Sequence, residues 1–273
     1  MRRNATERMI LSRRHVPVLA HFASSNVLVA FDYDGTLAPI VATPAAARMR
    51  RSTRHLLTNV AARYPCVVIS GRRLDDLAKR LQRVPIWHLV GDHGFESRGT
   101  SKGASTQVRG WAAQLRTHLP AQKGLVIEAK RHSITVHYRH VRDKRRVLEL
   151  LAEAAHQLRD ARAIYSPEAI NFLPNNGAHK GLALQQACRA FACDTAIYVG
   201  DDDTDEDAFA SAGPERLLSI RVGTKRPSLA QYRLKSQSDI DDLMKLLVDL
   251  RRTKAGGGHS GNSRVSSLPR SER

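Results

Sequence analysis

From residue 26 onward the chain repeats one figure: a short, largely apolar run followed by a longer segment with apolar positions at helical spacing. The runs are VLVAF (27–31), CVVI (66–69), WHLV (87–90), AIYV (196–199) and LLSIRV (217–222). Runs this short, rich in Val and Ile and mostly apolar, predict strands buried on both faces. The segments 45–64, 74–81 and 180–191 predict helices; in the first, Leu56, Leu57 and Val60 share one side. Strand and helix alternating at this length predict a parallel sheet with helices on both faces, a doubly wound, Rossmann-like α/β core.

The figure breaks between residues 102 and 173. There LVIEAK (125–130) and SITVHY (133–138) alternate like paired antiparallel strands. Helices are expected at 111–119 and 143–158, and extended chain at 163–172. This block reads as a smaller α+β domain inserted into the first. The expected organisation is an N-terminal helical segment (1–25), the first part of the core (26–101), the insertion (102–173), the second part of the core (174–250) and a tail (251–273). In the N-terminal segment Ile10, Leu11, Val16, Leu19, Ala20 and Phe22 outline one face of a helix interrupted by Pro17, so its arginines suit a docked helix better than a transit peptide. The tail, rich in Gly and Ser, has too little apolar surface to offset its ordering entropy and is expected to be disordered.

Composition narrows the partners. The net charge is +18, from 44 Lys and Arg against 26 Asp and Glu, which suggests a phosphorylated ligand or a polyanion. With 42% hydrophobic and 26% charged residues, fibrous and wholly disordered classes are excluded. Three cysteines make no disulfide framework, and Cys66, Cys188 and Cys193 have no metal spacing; a reducing, cytoplasmic setting is expected. No run of about 18 apolar residues is present, so no membrane partner is expected. The basic run RHVRDKRR (139–146) has Tyr138 as its one aromatic neighbour and reads as a solvated helix start, which makes nucleic acid an unlikely partner.

In an open parallel sheet, ligands sit beyond the carboxyl ends of the strands. Those ends carry Asp32 and Asp34, then Ser70, Gly71 and Arg72, then His93 and Glu96, then Asp201, Asp202 and Asp205. Carboxylates that converge repel unless a cation joins them, and hard oxygen ligands suggest Mg²⁺. One carboxylate could instead be a nucleophile, since aspartate forms aspartyl phosphates. If strand geometry persists past residue 31, Asp34 points to the same side as Asp32 and serves as an acid or base. Ser70 and the amides of a strand-to-helix turn suit phosphate oxygens, and Lys180, at a helix start, supplies a point charge.

FDYDGTLAPI, VVISGR, HKGLAL and YVGDDDTDEDAF, each at a strand end or a helix start, resemble the four motifs of haloacid-dehalogenase-type phosphatases. GDHGFE, the pair EAK and VHYR, and GDDDTDEDAF are similar to trehalose-6-phosphate phosphatases in particular. The segment PNNGAHKG departs from the family's form but keeps the Lys-Gly. The resemblance runs from about residue 26 to 247 and implies a haloacid-dehalogenase core with a cap. It implies that Asp32 is the nucleophile, Asp34 the acid and base, and Lys180 a charge-balancing catalytic residue. It further implies a Mg²⁺ site from Asp32, the Asp34 backbone carbonyl and Asp201, with Asp205 supporting them.

Sugar-binding candidates on the cap are Glu128, Lys130, His137 and Arg139, and on the core His93, Glu96 and Arg72, with Ser70 and Gly71 at the phosphate. From pattern alone, the charged strand positions favour a solvated face, and the resemblance turns them toward the sugar; His93 and Glu96 also fit a braced loop, and Arg72 an ion pair. The resemblance implies a trehalose 6-phosphate phosphatase, with a sugar phosphate as small-molecule partner and a possible functional pairing with the synthase that makes it. A phosphatase of another sugar or glyceryl phosphate stays open, as does a nucleic-acid-binding protein. A catalytically dead regulatory partner is disfavoured by the presence of both Asp32 and Asp34.

Overall fold

A computed structural model describes residues 8–97, 105–119, 121, 123–166, 168–175, 177–224 and 227–256. The expected boundary at 101/102 and the tail beyond residue 256 lie outside them.

Six strands form a wholly parallel sheet: β1 (Val27–Phe31), β2 (Cys66–Ile69), β3 (His88–Val90), β8 (Thr195–Gly200), β9 (Leu217–Val222) and β10 (Tyr232–Leu234), in the order β10-β9-β8-β1-β2-β3. Alternate residues feed two cores. Val27, Val29 and Phe31 face α1 (Val16–Ser24), α2 (Arg51–Ala61), α3 (Leu74–Arg80) and α8 (Ile240–Gly256), while Leu28 and Ala30 face α6 (Lys180–Ala190) and α7 (Glu206–Phe209). Burial on both sides explains why these strands are mostly apolar; β9 is an exception, with Ser219 and Arg221 buried at alternate positions. The chain runs from β1 outward to β3 and returns on the other side of β1 with β8. The strand order therefore reverses between β1 and β8, and such a reversal opens a crevice at the carboxyl ends.

The inserted block is a second, antiparallel sheet of β4 (Val126–Ala129), β5 (Ile134–His137), β6 (Ala161–Ser166) and β7 (Ala169–Pro174), in the order β4-β5-β7-β6. Ile134, Val136, Ile170 and Phe172 pack under α4 (Thr106–His118) and α5 (Lys144–Gln157). The opposite face carries Glu128, Thr135, His137, Asn171 and Arg162, because side chains alternate and the register pairs Glu128 with Thr135 and Thr135 with Asn171.

Three expectations change. Pro17 stands in the first turn of α1 instead of interrupting a longer helix, a position where its missing N–H costs nothing. The helix expected from 45 begins at Arg51, because the Arg80 side chain takes the carbonyls of Ala45 and Ala47. The tail expected from 251 is helical up to Gly256. Arg251 donates to the carbonyls of Ala23 and Ser25 at 2.8 and 3.1 Å and lies 4.6 Å from the centre of the Tyr64 ring. Arg251→Ala is expected to lower stability by about 1–3 kcal/mol, read by urea unfolding; an unchanged midpoint would return Arg251 to the tail.

The basic run starts α5 in the expected way: the Asp143 side chain caps it, Arg145 pairs with Glu149, and Lys144 with Glu168. Among the described residues no helix is long and apolar enough to cross a membrane.

Candidate active site

β1 ends at Phe31, and Asp32 emerges in the crevice, 4% exposed. Its Oδ1 accepts from Lys180 Nζ at 3.0 Å. Lys180 opens α6, 2% exposed, and also donates to Asp205 at 2.7 Å. Asp201 follows β8. Oxygens of Asp32, Asp201 and Asp205 lie within 4.8 Å of one another. Burial pushes the Asp32 carboxyl up to about 8, with Lys180 pulling it down and Asp205 and Asp34 adding to the rise. Burial, then Asp32 and Asp205, hold Asp201 well above the usual carboxylate range. Burial opposes the Lys180 charge, but Asp205 and Asp32 outweigh it and raise its pKa. One lysine thus underbalances a buried acidic cluster of hard oxygen donors, which is the condition a divalent cation relieves.

The three carboxylates are not equivalent. Asp205 accepts four hydrogen bonds: from Lys180 and Tyr198 on Oδ1, and from the Asp201 and Asp202 amides on Oδ2. It has no oxygen left over, which suits a brace better than a direct ligand. Asp201 Oδ1 accepts only from Thr36 Oγ1, at 3.2 Å, among the described residues. Gly35 sits against it: with φ of 79°, a Cβ there would overlap the Asp201 carboxylate.

The Asp34 side chain does not join this cluster. The strand has ended, and Ala38 N–H bonding to Tyr33 O and Gly35 N–H to Ala38 O make a tight turn, so the parity argument fails. Both Asp34 oxygens accept from Arg72, at 2.6 Å each. The same guanidinium donates to Asp76 at 2.6 Å, the ion-pair option left open for it.

Ser70 is buried at the end of β2, beside Gly71. A Cβ on Gly71 would run into the His93 ring. Asp92 and His93 both have left-handed backbones, φ 47° and 59°, a strain typical of functional loops. The fold holds this shape through the Asp92 carboxylate, which accepts from His132 N at 2.8 Å and from Ser133 Oγ at the tip of the β4–β5 hairpin. His93 is thereby buried among Lys130, Lys180 and Arg162, and burial, then those cations, keep it well below its usual pKa. Glu96 braces, its Oε2 accepting from Leu74 N at 2.8 Å.

On the cap face Lys130 donates to Gly71 O and Thr135 Oγ1 at 2.7 and 2.8 Å, so it spans both sheets. Glu128 Oε2 lies 3.0 Å from His137 Nε2, and that contact holds the Glu128 carboxyl below its usual range. Arg139 is turned to the Val41 carbonyl of the core. The structure therefore gathers Asp32, Lys180, Asp201, Asp205, Ser70, Gly71, His93 and Lys130 around one crevice. It engages Glu96 and Arg139 with backbone.

Sequence reasoning missed Tyr198, Arg162 and Arg221. Arg162, on β6 of the cap, pairs with Asp207 of α7 at 2.9 and 2.6 Å. Tyr198 and Arg221 carried a signal: Tyr198 is a polar-tipped side chain in an apolar strand run, and Arg221 a charge in a run whose one other polar residue is Ser219.

The doubly wound sheet with an inserted antiparallel sheet is the haloacid-dehalogenase fold. It is shared with a sugar phosphatase of that superfamily's subclass IIB at a TM-score of 0.57, with 15% identity, over 80% of this chain and 96% of that one. It is also shared with the C-terminal domain of Candida albicans trehalose-6-phosphate phosphatase at a TM-score of 0.75, with 22% identity, over 90% of this chain and 99% of that one. Residues 30–238 match the trehalose-phosphatase family model, and the chain belongs to that family. The trehalose-phosphate phosphatase of Mycolicibacterium paratuberculosis is 36% identical over 217 residues, 73% of this chain and 55% of the relative. The chain spans about half the length of the curated relatives it matches.

Proposed function

We propose that this chain hydrolyses trehalose 6-phosphate to trehalose and phosphate through an aspartyl phosphate on Asp32. The observation that carries this is the buried Asp32–Lys180–Asp205 chain, with Asp201 beside it, at the point where the sheet reverses. Family membership and the relative's name support the substrate. A functional pairing with the synthase that makes this substrate follows from the same reading.

Asp32 attacks phosphorus with the oxygen that Lys180 does not hold. The new O–P bond forms as the P–O bond to the sugar oxygen breaks. Asp34 protonates the departing oxygen, then takes a proton from the water that hydrolyses the aspartyl phosphate and restores Asp32. For this, Asp34 releases at least one oxygen from Arg72. Ser70 and the amides after β2 hold phosphate oxygens, and Lys180 balances their charge. Asp32, Asp201 and the Asp34 carbonyl would hold Mg²⁺, with Asp205 bracing them; the ion supplies positive charge to the phosphoryl oxygens.

The cap sheet supplies discrimination. Glu128, Lys130 and His137 share its core-facing side; Glu128 and His137 are part-exposed, and a hydrogen bond to a sugar hydroxyl that covers them contributes on the order of 1–3 kcal/mol, or about tenfold to a hundredfold in rate. Glu128→Ala and His137→Ala are expected to lower kcat/KM for trehalose 6-phosphate by that factor. Hydrolysis of p-nitrophenyl phosphate, which needs only the core groups, should stay near wild type. Equal losses on both substrates would place the pair in the fold or the catalytic centre, and no loss on either would leave it on a solvated face.

A further inference from the structure

We propose that Arg221 is a positioning residue for the cation site, acting through the backbone of Asp201; the inference rests on the reading that Asp201 helps hold a divalent cation. Arg221 lies on β9 in a strand buried throughout, and its side chain is 0% exposed. A guanidinium in such a place carries a large desolvation penalty that only close pairing offsets. Its partners all belong to one loop. One terminal nitrogen donates to Glu206. The other donates to the backbone carbonyl of Asp201 at 2.7 Å and to Asp203 at 3.3 Å. The fork thus ties the two ends of the segment 201–206 together and fixes the peptide that carries the Asp201 carboxylate.

The charge pattern gives this contact its purpose. Six of the seven residues from 201 to 207 are acidic. Lys180 answers Asp205, and Arg162 answers Asp207. Arg221 answers Asp203 and Glu206 from beneath the loop, and it takes no carboxylate oxygen of Asp201. Asp201 therefore keeps its side chain for a cation while its backbone is held. A lysine cannot reproduce this, because a single ammonium does not span the carbonyl and the carboxylates as a planar fork does. Groups that orient metal ligands in this way typically contribute tenfold to a hundredfold in metal affinity.

The test is Mn²⁺ binding to the full chain, followed by the electron paramagnetic resonance signal of free Mn²⁺, with melting temperature in EDTA read alongside. Wild type is expected to bind one Mn²⁺, and Asp201→Asn to lose it. Arg221→Met is expected to bind about tenfold to a hundredfold more weakly, and Arg221→Lys to fall between. A folded Arg221→Met that binds Mn²⁺ like wild type, with only its melting temperature lowered, would overturn the proposal and leave Arg221 a loop staple. Should Arg221→Met not fold, Arg221→Lys decides: severalfold weaker binding supports the role, and wild-type binding overturns it. Absence of Mn²⁺ binding by wild type would instead remove the cation site itself, and this role with it.

Discussion

Asp32→Asn is expected to lower phosphate release by a factor on the order of 10⁴–10⁶ while leaving the fold in place. The amide is nearly the same shape, so it fills the same buried space and its oxygen can still accept from Lys180, now 3.0 Å from Asp32 Oδ1. What it lacks is a charged oxygen to attack phosphorus and to share in cation binding. Loss of one buried carboxylate also lessens the repulsion with Asp201 and Asp205. The melting temperature should therefore stay within roughly 3 °C of wild type, a difference of ~1 kcal/mol in a chain this size. Phosphate assays and thermal unfolding check the two halves. Turnover near wild type would remove Asp32 from its role, and a collapsed melting temperature would make the loss of activity uninformative about chemistry.

Lys180→Met is expected to fail in both measures. The methionine keeps most of the volume but removes the ammonium from between Asp32 and Asp205, groups 4% and 0% exposed. Breaking a buried ion pair on one side costs about 3–5 kcal/mol; here the uncompensated charge falls chiefly on Asp205, since burial already pushes the Asp32 carboxyl up to about 8. In a protein of this length that corresponds to a drop in melting temperature on the order of 10 °C. Turnover should fall too, since the charge that balances the phosphoryl oxygens is gone. The comparison with Asp32→Asn is diagnostic: two residues in direct contact, one expected to cost catalysis alone and the other catalysis and stability together. A stable Lys180→Met would mean that Tyr198 and the Asp201 and Asp202 amides satisfy Asp205 without the ammonium.

The central strands β1, β2 and β8 were legible because they are buried on both faces, which leaves a nearly unbroken apolar run in the sequence. The acidic and Ser-Gly-Arg motifs were legible because such runs end at them. β10 and α8 were not foreseen. β10 is a three-residue edge strand with no run of its own. α8 did carry a pattern, with Ile240, Leu243, Met244 and Leu247 buried at helical spacing. The side-chain direction of Asp34 was not legible either, because it depends on where the strand ends. Parity holds along β5 and fails after Phe31, where the turn at Gly35 sends Asp34 to Arg72. The roles of Arg162 and Arg221 were not legible for a different reason, although Arg221 stood out as a charge within its strand. Their partners are 45 and 15–20 residues away and meet them only through the packing of β6 and β9 on the acidic loop.

The most direct test of the whole account is phosphate release from a panel of substrates with Mg²⁺: trehalose 6-phosphate, glucose 6-phosphate, sucrose 6-phosphate and glycerol phosphate, each repeated with EDTA. Trehalose 6-phosphate is expected to lead the panel in kcat/KM by on the order of 10²-fold, with every activity silenced by EDTA and restored by added Mg²⁺. Faster release from another ester, or undiminished release in EDTA, would contradict the account.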